Sequence, residues 1–265
     1  MKVILSRKGF DSAAGGIPSP ILGKQLISLP IPRAYSGDDY RNLNFTHQGE
    51  HFNYAKLLKD LNVNFYSECH LDPDLIRGVK SRAAAWQPAL GQAGNAAAEL
   101  LEVEVGDLFL FFGNFRQATY SEGRFQFVKG SPEMHVIWGY LKVEAIYDQK
   151  QIEKGQIHET LQYHPHVREV DFHQKSHNLV FASSEAESGI FQFSKQHILS
   201  NLDQKPYKKS FWRALPFLQP QSKRIKKVKN GLWNSGGRGQ EFICKIKKQK
   251  QFDAWLNQLH KKSNL

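Results

Sequence analysis

Cysteine is nearly missing from this 265-residue chain: Cys69 and Cys244 are the only two. Two thiols close at most one bridge, which excludes a disulfide framework and makes the reducing cytoplasm the expected location. Long apolar runs are missing too. No stretch approaches the roughly 18 residues that span a bilayer. The amino end offers only Lys2 and the short run Val3-Ile4-Leu5, well short of a signal-peptide core, so no membrane partner is expected. The sequence has no G-x-S-x-G, C-x-x-C or H-E-x-x-H, and neither of the glycine loops G-x-x-x-x-G-K-[ST] and G-x-G-x-x-G. The familiar serine hydrolase, dithiol, zinc protease and nucleotide-loop chemistries therefore have no signature here. An EF-hand loop and internal repeats are also lacking.

Negative charge is scarce in the last quarter. From Lys205 onward, Glu241 and Asp253 face 16 Lys and Arg, while the whole chain carries a net +11. The basic character thus belongs almost wholly to residues 205–265. A concentrated positive field attracts polyanions, so DNA or a nucleotide is the expected partner, bound in a salt-dependent way. Lys223, Arg224, Lys226, Lys227 and Lys229 are the expected nucleic-acid contacts. Tyr207, Phe211, Trp212, Phe217 and Trp233 lie among these cations, either as stacking surfaces or as core. The alternative is a solvated face.

Apolar content of 40% suffices for a packed core. Residues 2–6 predict a buried strand, and "SPILGKQLISLPIP" predicts a hairpin turning at Gly23-Lys24. Residues 33–53 read as a surface loop, and "NYAKLLKDL" as a helix. "GQAGNAAAELLEVEV" reads as a helix from near Gln92 to about Leu101. After a Gly106-Asp107 turn come the strand-like runs "LFLFFGNFR", "RFQFV", "MHVIWGYLKVEAI", "SHNLVFAS" and "GIFQF", then "GQEFICKI". "QFDAWLNQLHKK" closes as an amphipathic helix. "LQPQSKRIKKVKN" is the best candidate for a flexible basic segment. The fold class is α+β: a mostly antiparallel sheet or a partly closed barrel with flanking helices. A single domain, 1–265, is expected, with a barrel core at about 100–195 and the basic region at 205–265.

Candidate chemistry sits in four stretches. In "SRKGFDSAAGG", Ser6, Arg7, Ser12, Gly15 and Gly16 suit phosphate, with Lys8 and Asp11 as catalytic groups. Its structural alternative is a tight turn that Asp11 caps. In "HLDPDL", His70, Asp72 and Asp74 suit acid–base work or a divalent metal. The alternative there is a turn in which Asp74 caps a short helix at Leu75. In "YHPHV", His164 and His166 fall on one side of an extended segment and could converge on phosphate or metal. In "GRGQEF", Arg238 and Gln240 suit base edges or phosphate, and Glu241 a base. The metal itself is left unknown, a divalent ion being possible.

Together, "SRKGFDSAAGGIPSPI", "HLDPDL", "GDLFLFFGNFR", "HVIWGYLKV", "HPHV" and "GRGQEF" resemble the nucleotide modification associated domain 3 family, in order from residue 3 to about 246. One departure is the opening hairpin, where Gly23-Lys24 stands in place of a longer Asp-Gly-type turn. The resemblance implies a setting in bacterial or phage DNA modification, with partner enzymes of a modification or restriction system. "VGDLFLFF" followed by "HVIWGYLKV" also resembles the core of PUA- and EVE-type barrels, which bind modified bases or RNA. Two functions follow. One is an enzyme acting on a DNA base or nucleotide. The other is a reader of modified bases without chemistry, stacking them on Trp138 and Tyr140.

Overall fold

The computed structural model describes all residues except 35–36, 64–66, 83–84, 222–224, 229–230, 236–239 and 262–265, and, for 226–228, the backbone alone. Its centre is the strand Leu108–Ser121. Phe109, Leu110, Phe111 and Phe112 are all buried, although their side chains alternate between faces. A strand covered on both faces needs an unbroken apolar run, and that is what the sequence supplies here. Lys2–Arg7, equally apolar, lies parallel to it on one side. Met134–Lys142 lies antiparallel on the other.

The sheet then runs outward to Ser188–Ile190 at one edge and through Glu241–Ile246 to Leu218–Pro220 at the other. These edges do not meet. The sheet is open and mostly antiparallel, and no sheet closes into a barrel among the described residues, so the barrel alternative is corrected. The apolar-glycine step "WGY" marks an irregularity instead: the register against the central strand slips between Phe111 and Phe112. At Gly139 a Cβ would come within 3.0 Å of the Gly189 carbonyl.

Three further expectations change. Gln92 lies in a strand, Ala89–Ala93, paired with Asn178–Ala182, and only Gly94–Ala98 is helical. Gly94 (φ 62°) separates the two. Residues 44–53 form a hairpin, Asn44–His47 with Glu50–Asn53. Gln48 (φ 52°) and Gly49 (φ 83°) supply the two left-handed positions its tight turn demands. Within the basic segment expected to be flexible, Leu218–Pro220 pairs with Glu241–Ile246, and Lys226–Val228 pairs with Leu232–Asn234. The closing helix, Gln249–His260, packs Phe252 and Leu259 into the main core.

Five pieces of this fold meet at one place. Lys2–Arg7 ends where the antiparallel Glu241–Ile246 begins, with Ser6 opposite Glu241. Lys8 follows at once, its N–H bonded to the Phe112 carbonyl. The short strand Glu68–His70 delivers His70 and, just beyond, Asp72. The strand Ala89–Ala93 brings Gly91 and Gln92, and the helix Pro165–Arg168 lays His166 across Gly91.

Candidate active site

Lys8, Asp72 and Glu241 form a charged cluster that is almost sealed from water. Their side chains are 9%, 2% and 1% exposed. Lys8 Nζ stands 3.3 Å from Asp72 Oδ2 and 3.9 Å from Glu241 Oε1. An isolated ion in such a place would cost several kcal/mol, so charge must be matched locally. Asp72 is matched most fully. The Gly91 N–H donates to its Oδ1 at 2.6 Å, and His164 Nε2 approaches that oxygen at 3.4 Å. His70 Nε2 and His166 Nε2 face Oδ2 at 3.9 and 4.0 Å.

The two carboxylates are pushed in opposite directions. Burial pushes Asp72 up, but the charge of Lys8, with His164, His166 and His70, outweighs it and holds the carboxyl well below the usual range. Burial raises Glu241, with Lys8, Ser6 and Gln92 opposing and the Asp72 charge adding to the rise. Gln92 Nε2 donates to Glu241 Oε1 at 2.7 Å, while Oε2 is buried without a hydrogen-bond partner. Burial also presses His70 down to about 4, against the pull of Asp72, and holds His166 well below its ordinary value. The floor therefore combines a fixed negative charge with a carboxyl group disposed to carry a proton. Environments that drive two such groups apart separate acid from base.

Above this floor opens a cavity of about 420 Å³, within the range of small-ligand sites. Arg7, Lys175 and Arg33 line its mouth and Phe172 its wall. Arg33 Cζ lies over the Phe172 ring at 4.6 Å and is paired with Glu169 and Asp171. Phe172 stacks on His166 at 3.9 Å between centroids.

Of the residues singled out from sequence, Lys8, His70, Asp72 and His166 form this floor, with His164 and Glu241 buried just behind them and Ser6 beside Glu241 in the sheet. Arg7, Asp11 and Gln240 line the cavity. Asp11 stands at the mouth and serves its own turn: Oδ1 accepts from the N–H groups of Ala13 and Ala14, and Oδ2 lies 3.9 Å from Arg7. Four of the loop's N–H groups are used internally, those of Ala13 and Ala14 by the Asp11 carboxylate, that of Asp11 by the Ala14 carbonyl and that of Gly16 by the Asp11 carbonyl. Ser12, Gly15 and Gly16 do not line the cavity. Gln240 accepts from the Arg7 N–H through its carbonyl.

Asp74 is turned to other partners. Arg82 grips it with two hydrogen bonds and the Trp86 indole donates a third, in place of the helix cap expected for it. Trp138 is packed against Phe111 in the core, and Tyr140 against Phe191 and His260. Neither offers a stacking face to the cavity. Trp212 and Trp233 are core as well. Lys223, Arg224, Lys229 and Arg238 lie outside the described residues, as do the side chains of Lys226 and Lys227.

Sequence reasoning missed Gln92, Asn178, Arg33, Phe172 and Lys175. The signal for the first was faint: Gly91 beside it is the one residue that lets a ring lie flat on this strand. A Cβ there would fall 2.2 Å from the His166 ring.

A sequence model of the nucleotide modification associated domain 3 family matches residues 2–253, and the chain belongs to that family. No curated protein and no solved structure matches the chain. Membership associates it with nucleotide modification. Among the described residues no helix is long and apolar enough to cross a membrane.

Proposed function

We propose that the protein is an enzyme that performs acid–base chemistry on a base or sugar of a DNA nucleotide. The observation that carries this reading is the convergence of Lys8, Asp72, Glu241 and three histidines, from four separate stretches of chain, beneath one cavity. A binding module gains nothing from burying so many ionisable groups at such desolvation cost.

In this reading a phosphate rests at the cationic mouth, on Arg7 and Lys175, and the reacting base or sugar points down. Glu241, its carboxyl raised, lies behind the cavity lining and exchanges a proton with the substrate by way of Lys8, whose ammonium donates to the substrate and is restored from Glu241. Lys8 lies within reach of both carboxylates and compensates charge that develops as that proton moves. Asp72 stays anionic throughout and fixes Lys8. A base stacked in duplex cannot reach this floor, so the substrate is a free nucleotide, a single strand or a flipped base. The basic carboxyl-terminal quarter supplies non-specific affinity for the polyanion.

The alternative reader loses support from the packing of Trp138 and Tyr140, which removes its proposed stacking platform. The test is product detection. Deoxynucleoside monophosphates, single-stranded DNA and duplex DNA are each incubated with the protein and digested, and their nucleosides are resolved by mass spectrometry. A new or lost nucleoside that disappears with Glu241→Gln supports the enzyme. Unaltered nucleosides in all three pools, with tight binding to any of them, contradict it.

A further inference from the structure

Asp72 is satisfied by Lys8 and the Gly91 N–H, but the three imidazole nitrogens that face it form no hydrogen bond with it. Asn178 fixes the proton on His166. Its Nδ2 donates to the His166 carbonyl at 2.7 Å, so its Oδ1, 2.9 Å from His166 Nδ1, must accept. Nδ1 therefore carries the hydrogen, and Nε2 presents a lone pair. That lone pair faces Asp72 Oδ2, another acceptor, at 4.0 Å. His70 Nε2 stands 3.9 Å from the same oxygen, and its Nδ1 is buried without a hydrogen-bond partner. Two acceptors, His166 Nε2 and Asp72 Oδ2, converge where His70 Nε2 also stands, an arrangement suited to a cation, and Lys8 Nζ at 3.3 Å from Oδ2 supplies that charge here.

His164 is different. Its Nδ1 accepts from the His166 N–H, which places the ring proton on Nε2, toward Asp72 Oδ1. His164 thus has no lone pair to offer there, and its Nε2, 3.4 Å from Oδ1, is buried without a hydrogen-bond partner. A ligating histidine held at its other nitrogen by an amide or carboxylate, and a ligating carboxylate braced by further donors, is the usual outer support of a metal site. Asn178 and the Gly91 N–H supply that support.

We infer that His70, Asp72 and His166 form a binding site for one divalent transition-metal ion of the zinc or ferrous class. Their donor atoms lie within 4.8 Å of one another. Zinc–nitrogen bonds of about 2.0–2.1 Å require tetrahedral donors about 3.4 Å apart, so the set must draw in on binding, by about half an ångström at Asp72 and by up to about 1.4 Å between the two imidazoles. Two imidazoles and one carboxylate leave coordination positions open toward the cavity, where an ion of this kind polarises a substrate oxygen or activates water.

Lys8 is the competitor for the site. Its ammonium neutralises Asp72 Oδ2 in the metal-free state and must withdraw when a dication arrives. Glu241 Oε2, buried and without a hydrogen-bond partner, is the acceptor available to it. Removal of Lys8 therefore tightens metal binding, an outcome that a merely structural histidine cluster does not produce.

This inference deepens the enzyme reading by naming the cofactor of the same site, and its test needs no turnover. Tag-free protein, stripped with chelator, is titrated with Co²⁺ and Zn²⁺ by calorimetry and visible absorption. One equivalent should bind. His70→Ala and His166→Ala should each weaken it by about ten- to a hundredfold, His164→Ala by less, and Lys8→Met should strengthen it. If His166→Ala does not fold, the isosteric Asp72→Asn carries the same test. Failure of both wild type and Lys8→Met to bind, or equal affinity in wild type and the His70 and His166 variants, overturns the site. Loss in His164→Ala as large as in His166→Ala also overturns this ligand assignment. Failure of the metal site leaves the metal-free acid–base reading to be judged on nucleoside product alone.

Discussion

Replacing Lys8 with Met removes the one lysine that, among the described residues, faces both buried carboxylates. At 3.3 Å, with an effective dielectric of about 20, the Lys8–Asp72 attraction is about 5 kcal/mol. Glu241, its carboxyl already raised, takes up a proton when the ammonium is gone. Asp72 cannot do so as readily, because its remaining hydrogen-bond donor and the histidines still favour the ion. Lys8→Met should therefore destabilise the protein by about 3–5 kcal/mol, the usual penalty for stranding a buried charge. Asp72→Asn should cost a similar amount by stranding Lys8. The double variant, with neither charge, should recover most of the loss, so the two effects are far from additive. The assay is urea denaturation at pH 7 with chelator present, followed by circular dichroism and fluorescence. Costs that simply add, within about 0.5 kcal/mol, would refute the view that these two side chains are a mutually dependent buried pair.

Gly91→Ala would ordinarily stabilise a strand, since no left-handed φ is involved. Here the new methyl meets the His166 ring at 2.2 Å, so thermal melting should show a loss of about 1–3 kcal/mol from overpacking, with turnover falling as His166 is displaced. Arg7→Gln should weaken binding of a deoxynucleoside monophosphate about ten- to a hundredfold, the value of a charge-assisted contact, and leave the unphosphorylated nucleoside nearly unchanged by calorimetry. Burial holds His135 at about 3, below its unfolded value, and Trp212 Nε1 donates to its neutral Nδ1 at 2.9 Å. The depressed pKa means that the unfolded chain binds the proton first. Stability should thus be full above about pH 6.5 and fall as pH drops toward 3, by up to about 1.4 kcal/mol per unit for this group. His135→Gln should flatten part of that slope in urea midpoints measured at pH 7 and pH 5.

Much of the framework was legible because local and global preferences agree there. The runs at residues 2–6 and 108–112 read as strands because they are unbroken and apolar, and the closing helix announces its face through Phe252, Trp255, Leu256 and Leu259. Gln92 was misplaced because alanines after Gly94 carry a strong helical preference, while pairing with Asn178–Ala182 holds the preceding residues extended. The mostly antiparallel sheet was foreseen, but whether its ends close depends on which strands become edges, and alternation does not encode that. The polar stretches of the site were recognised by residue type: Lys8, His70, Asp72, His164, His166 and Glu241 all belong to them. Their relative depth was not. Asp11 and Asp72 look equivalent in sequence, yet one caps a surface turn and the other is sealed beneath Lys8. Arg33 and Phe172 carry no motif and reach the cavity only through the fold.

The most direct measurement compares binding and turnover in Asp72→Asn, which keeps shape and the Gly91 contact but removes the fixed negative charge. Affinity for single-stranded DNA should stay within about twofold of wild type while product formation falls by at least about a hundredfold, the scale of a lost catalytic group. Full product formation by the variant, with binding unchanged, would contradict the claim that this buried cluster performs the chemistry.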